Sequence, residues 1–104
     1  MAEVTINEVN FEEEVIRSDR PVLLDFWATW CGPCRMMGKV LEEIDATMSD
    51  KVKVCKVNVD EEPGLAQQFG VMSIPTLVAF RDGKPVETSI GYKGREEVLA
   101  LLGL

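Results

Sequence analysis

The sequence predicts an α/β fold: a mixed five-stranded sheet flanked by four helices. Three observations lead there. Val22–Ala28 and Val52–Val59 are near-continuous apolar or β-branched runs, the pattern of strands covered on both faces. Helical stretches separate the strand candidates, and strand–helix–strand units demand parallel pairing with right-handed crossovers. Near the C-terminus, two further strand candidates flank Asp82-Gly83, a hairpin signal that adds an antiparallel pair.

Each element has its own warrant. Val4–Ile6 is a short apolar strand. Asn10 followed by Glu13 reads as a helix start, with Phe11, Val15 and Ile16 as the buried face of a helix ending near Ser18. Asp19-Arg20-Pro21 breaks the chain before the strand Val22–Ala28. Cys31-Gly32-Pro33-Cys34 follows and opens a long helix reaching about Met48. Its apolar positions Met37, Val40, Leu41, Ile44 and Met48 recur at helical spacing. Gly38 falls inside that helix, where glycine costs about 1 kcal/mol against alanine and permits a bend. After the strand Val52–Val59, Pro63 sits in the first turn of a short helix that Gly70 ends. Thr76–Phe80 and Pro85–Ile90 form the hairpin, and Arg95–Leu102 closes the chain as a helix offering Val98, Leu99, Leu101 and Leu102 to the core.

A chain of 104 residues suits one domain, 1–104, able to bury roughly 60–70% of its unfolded surface without staples. Eleven Lys and Arg against eighteen Asp and Glu give a net charge of −7. That balance speaks against nucleic acid and anionic membranes as partners, since both would be repelled. The acidic clusters Glu12-Glu13-Glu14 and Asp60-Glu61-Glu62 read as helix-start or solvated residues. No apolar run approaches the ~20 residues of a membrane span. The start, MAEVTINEVN, lacks the basic and apolar regions of a signal peptide, so a cytoplasmic monomer is expected.

The chemistry concentrates in the cysteines. There are three Cys and no His. An odd count argues against a disulfide framework, and the absence of His removes every Cys–His nucleophile arrangement. Cys31 and Cys34, at i and i+3 near a helix start, are about 5–6 Å apart at Cβ, so a disulfide closes with little movement. So short a ring adds little to folding and opens easily, as a redox catalyst requires. Cys31 falls where unpaired N–H groups and the helix dipole favour a thiolate. Cys34 lies further into the turn and is expected to be more covered. Cys31 is therefore the attacking thiol and Cys34 the resolving one. The alternative, half of a zinc site, lacks ligands, since only Cys55 and carboxylates remain.

Asp25 is the only charge in VLLDFWA. A buried carboxyl is expected to have a raised pKa and to accept a proton near neutrality, which makes it the base for Cys34 in a chain without His. An exposed edge position is the alternative. Trp27 reads as core packing, and Cys55, between Val54 and Val57, as a small core hydrophobe.

The stretch from Asp25 to Cys34, DFWATWCGPC, closely resembles the active-site signature of the thioredoxin family. Ile74-Pro75-Thr76 resembles its cis-proline motif, Phe80-Arg81-Asp82-Gly83-Lys84 its hairpin, and Gly91 its glycine beside the active site. These motifs span essentially the whole chain in the family's order. The resemblance implies the thioredoxin fold and an enzyme that reduces protein disulfides, because Gly-Pro between the cysteines matches the reductases of the superfamily. It implies that Trp30, Gly32, Pro33, Ile74, Pro75 and Gly91 line an apolar groove for an extended target segment, with a cis Ile74–Pro75 bond. Lys56 would lie near Asp25 and tune it; a stem reaching the surface is the alternative. Met72 and Tyr92 flank that groove, where a more polar and a smaller residue are expected, and would reshape partner choice. The dithiol carries the electrons, so no cofactor or metal is expected. The implied partners are disulfide-containing proteins and a thioredoxin reductase, an NADPH-dependent flavoprotein, with a ferredoxin-linked or F420-linked donor as the alternative. An oxidase or isomerase, and a docking subunit with incidental redox chemistry, are the alternatives.

Overall fold

A computed structural model describes residues 3–104. Five strands, β1 (Val4–Thr5), β2 (Val22–Trp27), β3 (Lys53–Asn58), β4 (Thr76–Arg81) and β5 (Lys84–Ile90), form one sheet. Four helices join them: α1 (Glu12–Ile16), α2 (Gly32–Met48), α3 (Pro63–Gln68) and α4 (Arg95–Ala100). The strand order is β1-β3-β2-β4-β5. β3 pairs parallel with β1 and β2, while β4 pairs antiparallel with β2 and β5. The expected mixed sheet is present, with the apolar β2 at its centre.

Strand alternation divides the core into two layers. Leu24 and Phe26 of β2, Cys55 and Val57 of β3, and Val78 and Phe80 of β4 pack with Val15, Leu65 and Ala66 from the α1 and α3 side. The ring of Phe69 lies 5.7 Å from those of Phe11 and Phe26 and 5.8 Å from that of Phe80, close enough for tilted and edge-to-face packing. The other layer joins Leu23, Val54, Leu77 and Ala79 to Met37, Leu41 and Ile44 of α2 and Val98 of α4. Asp25 has the parity of Leu23 and therefore faces α2. Cys55 is fully buried, and burial pushes its thiol up to about 12, which fits a core hydrophobe.

The first helix begins at Asn10 as expected, Asn10 O accepting from Glu14 N–H, but a turn from Asn7 precedes it: Asn7 Oδ1 accepts from the N–H groups of Val9 and Asn10. Asn10 Oδ1 in turn accepts from Asn7 N–H, a reciprocal cap three residues early. Asn10 also donates to Thr5 O, which ties the turn to the end of β1. The coil then widens, with Arg17 N–H reaching Glu12 O, and leaves Phe11 without a side-chain cap. The long helix behaves differently: α2 runs unbroken through Gly38. Among the described residues no helix is long and apolar enough to cross a membrane.

The β4–β5 hairpin turns at Asp82 and Gly83 with φ of 55° and 77°, the left-handed pair that matches strand twist. A Cβ on Gly83 would meet Ile16 O at 2.7 Å, so the hairpin tip is seated on the end of α1. Gly83→Ala is expected to cost on the order of 1–3 kcal/mol, through positive φ and this clash. An unchanged urea midpoint would refute that account.

Candidate active site

The redox pair forms where β2 hands over to α2. Cys31 N–H donates to Ala28 O at 3.3 Å, closing a turn directly after the strand. Cys31 is the N-cap of α2, in extended conformation, and its Sγ accepts from Cys34 N–H at 3.2 Å. Pro33 occupies the first turn, where a missing N–H has no cost. Cys31 and Cys34 are joined as a disulfide with Cα atoms 5.2 Å apart. Gly32 and Pro33 stay exposed beside it. The expected difference in coverage is absent, since Cys31 is 5% and Cys34 4% exposed. Both pack among Ala28, Trp27, Val59 and Ile74. Their asymmetry lies in their surroundings. Cys31 Sγ sits at the helix N-terminus, 3.8 Å from Ile74 O. Cys34 borders a cavity on the opposite side, with Gly38, Lys39 and Lys56.

The Ile74–Pro75 bond is cis, as expected. Pro75 is buried, and its carbonyl accepts from Gly91 N–H at 2.8 Å, which places Gly91 beside the start of β4. Gly91 has φ of 91°, a conformation open to glycine. Trp30 is exposed, and its indole N–H donates to Asp60 Oδ2 at 2.8 Å. Trp30, Met72 and Ile74 come together around a cavity of about 370 Å³, floored by Val59, Ala66 and Val71. Met72 is 97% exposed at its rim. Tyr92 is exposed next to Gly91, outside that cavity.

Asp25 is fully buried, directly across from Lys56 of β3 and Leu77 of β4. Lys56 Nζ approaches Asp25 Oδ2 to 3.4 Å, an ion-pair distance. Yet neither carboxyl oxygen has a hydrogen-bond partner among the described residues. Burial pushes the Asp25 carboxyl up from 3.8 to about 6, and the Lys56 charge opposes that rise only in part. Lys56 is thus turned inward, with its side chain 20% exposed. Its ammonium lies 5.1 Å from the centre of the Trp27 ring, a cation–π contact. Trp27 is half-buried, so its role is a shelf for this cation as well as packing. A Cβ on Gly38 would lie 3.7 Å from Lys56 Nζ. That is ordinary van der Waals contact, so the ammonium passes close by α2 at this point. The cavity of about 460 Å³ bordered by Cys34, Gly38 and Lys56 connects the buried thiol to the cation paired with Asp25.

The thioredoxin family profile matches residues 2–103. The chain belongs to the thioredoxin family. It is 54% identical to the thioredoxin of Alicyclobacillus acidocaldarius over 101 residues, covering 97% of this chain and 95% of that protein. It is 49% identical to the thioredoxin of Bacillus subtilis over 102 residues, 98% and 96% of the two chains. The thioredoxin of Mycobacterium tuberculosis is 46% identical over 98 residues, 94% and 84%. As a thioredoxin-family member with its cysteine pair at disulfide distance, the protein is a thiol–disulfide oxidoreductase that reduces protein disulfides. Its general partners are disulfide-containing proteins and a thioredoxin reductase.

Three features of this thioredoxin site were missed in the sequence. Asp60 holds Trp30 from 30 residues away, and only an acidic cluster after β3 hinted at it. Asn58 Oδ1 shapes that loop by accepting from Asp60 N–H and Glu61 N–H. Trp27 offers its ring face to the Lys56 ammonium, a role with no local signature.

The buried carboxyl couples folding to pH. Its rise from 3.8 to about 6 corresponds to about 3 kcal/mol against the charged form. A raised carboxyl binds its proton more tightly in the folded state, so stability falls as pH climbs from about 4 to 6. The penalty is complete above 6 and absent below 4. Asp25→Asn is therefore expected to stabilise the oxidised protein at pH 8 by up to about 3 kcal/mol. At pH 3.5 the two proteins should be close. Parallel urea curves at both pH values would refute the linkage.

Proposed function

We propose that Cys31 attacks, Cys34 resolves and Asp25 takes the proton that the resolving step must lose. The observation that carries this reading is the Cys31 sulfur at the helix N-cap, accepting from Cys34 N–H at 3.2 Å. An N–H dipole aimed at a sulfur favours the thiolate. In the reduced protein the Cys31 thiolate attacks one sulfur of a target disulfide. A mixed disulfide forms and one target thiolate leaves. Asp25, as carboxylate, accepts the Cys34 proton by way of the cavity that Cys34 and Lys56 border. The Cys34 thiolate then attacks Cys31 sulfur. The second target thiolate departs, and the Cys31–Cys34 disulfide holds the oxidation. Two electrons have passed to the target.

In the same reading, Lys56 keeps the ionised Asp25 accessible without protonating it. Trp30, Gly32, Pro33, Ile74, Pro75 and Gly91 bound the docking surface, with Met72 and Tyr92 extending it in apolar and aromatic character. The protein acts as a single-domain monomer in the cytoplasm, re-reduced by an NADPH-dependent flavoprotein. A carboxyl poised near 6 supports the base role, because it is ionised yet basic enough at neutral pH.

Dithiol-driven insulin reduction tests the assignments. Cys31→Ser should abolish turnover. Cys34→Ser should trap a target as a mixed disulfide that excess thiol releases. Equal rates for wild type and Cys31→Ser would overturn the reading. Asp25→Asn should slow resolution about tenfold or more at pH 7 while leaving the first attack in place. For docking, Met72→Ala and Tyr92→Ala should raise KM for protein targets several-fold and leave reduction of a small aromatic disulfide unchanged. Unaltered KM with several targets would remove both residues from the surface.

A further inference from the structure

Glu3 precedes β1 at one edge of the sheet. β1 pairs with β3 in the register Val4↔Cys55 and Thr5↔Lys56. Extending that register sets Glu3 level with Val54, one pleat from Lys56 and on the same face. The next strand inward carries Asp25 on that face, directly opposite Lys56. α2 covers it and brings Glu42 and Asp45 toward Glu3. Glu42 also borders the cavity beside Cys34, with Arg35, Lys39 and Lys56 on the same wall.

Glu3 is an odd residue in this place. Its Oε2 is buried with no hydrogen-bond partner among the described residues. Burial raises its proton affinity, Lys56 lowers it, and Glu42 and Asp45 raise it again. Lys56 therefore acts on two carboxyls, the fully buried Asp25 at ion-pair distance and the partly buried Glu3 one pleat away on the same face, each with a buried oxygen that has no hydrogen-bond partner among the described residues. It stops 3.4 Å from Asp25 without completing a hydrogen bond. A cation shared between two carboxylates satisfies neither fully.

We propose that Glu3 is a positioning residue for the proton-transfer step: its carboxylate competes with Asp25 for the Lys56 ammonium and so sets how readily Asp25 accepts the Cys34 proton. The inference rests on the reading of Asp25 as the proton acceptor. Its sign is fixed by charge. A negative Glu3 draws Lys56 away and repels the Asp25 carboxylate, which makes Asp25 hold its proton more strongly. Removing that charge leaves Lys56 to Asp25 and makes Asp25 a weaker base.

The test follows the Asp25 carboxyl by carbon-13 NMR across pH in the oxidised protein, beside single-turnover disulfide reduction across pH. Glu3→Gln keeps the shape and removes the charge. Its Asp25 titration and the acid limb of its rate profile should both move to lower pH. Glu3→Asp keeps the charge and should stay near wild type. In a Lys56→Met background the Glu3→Gln shift should shrink, since there is no cation left to compete for. A Glu3→Gln titration superimposed on wild type overturns the proposal. So does an equal shift from Glu3→Asp, or a shift undiminished without Lys56. Failure of the Asp25 reading would look different: Asp25→Asn would leave the rate profile unaltered, while the NMR titration would still report on Glu3.

Discussion

A carboxyl group lies at the centre of the central strand, covered on every side. Much of the site's architecture answers to it. Asp25 needs a cation, and the β2–β3 register supplies Lys56 directly opposite. Lys56 in turn needs a surface to lie along, which the Trp27 ring provides. Burial outweighs the cation's pull, and so keeps the carboxyl near 6 rather than in the ordinary range. A perfectly bonded ion pair would stabilise the charged form and remove its basicity. The cost to stability and the proposed base role have the same origin here.

The redox pair depends on the opposite kind of environment. Cys31 lies between a buried central strand and the start of a long helix, with its sulfur held against the Cys34 N–H. The remaining pieces converge because of topology. β2 and β3 run parallel, so their C-terminal ends lie at one edge of the sheet. β4 is antiparallel to β2, so it begins at that same edge with Ile74 and Pro75, and β5 ends there beside Gly91. Loops from four strands thus meet around one disulfide. A thiolate-favouring sulfur at the helix N-cap and a raised carboxyl in the central strand are the two unusual groups of this site.

Much of this was legible in the chain. Central strands carry an apolar run that short surface segments cannot imitate, and Asp82-Gly83 adopts the left-handed turn that its residue types favour. Cys31, Cys34 and Asp25 stood out because their types conflict with their surroundings: two thiols at a helix start, and one charge in an apolar run. The start of the first helix at Asn10 was legible, but not the turn ahead of it, which two asparagines three residues apart build by bonding each other. The coverage of Cys34 relative to Cys31 depended on Ile74 and Val59, which approach from distant parts of the chain.

The sequence by itself determined the order of elements, the identity of the reacting thiols and the presence of one costly buried acid. These follow from local spacing and from the polarity of neighbours. Only the tertiary structure decided what that acid and those thiols meet: Lys56 across the register, Gly38 beneath its ammonium, Asp60 on Trp30, and Glu3 on the face shared with Lys56. Such pairings depend on strand register and crossover geometry, and a one-residue slip would send each side chain to the opposite face.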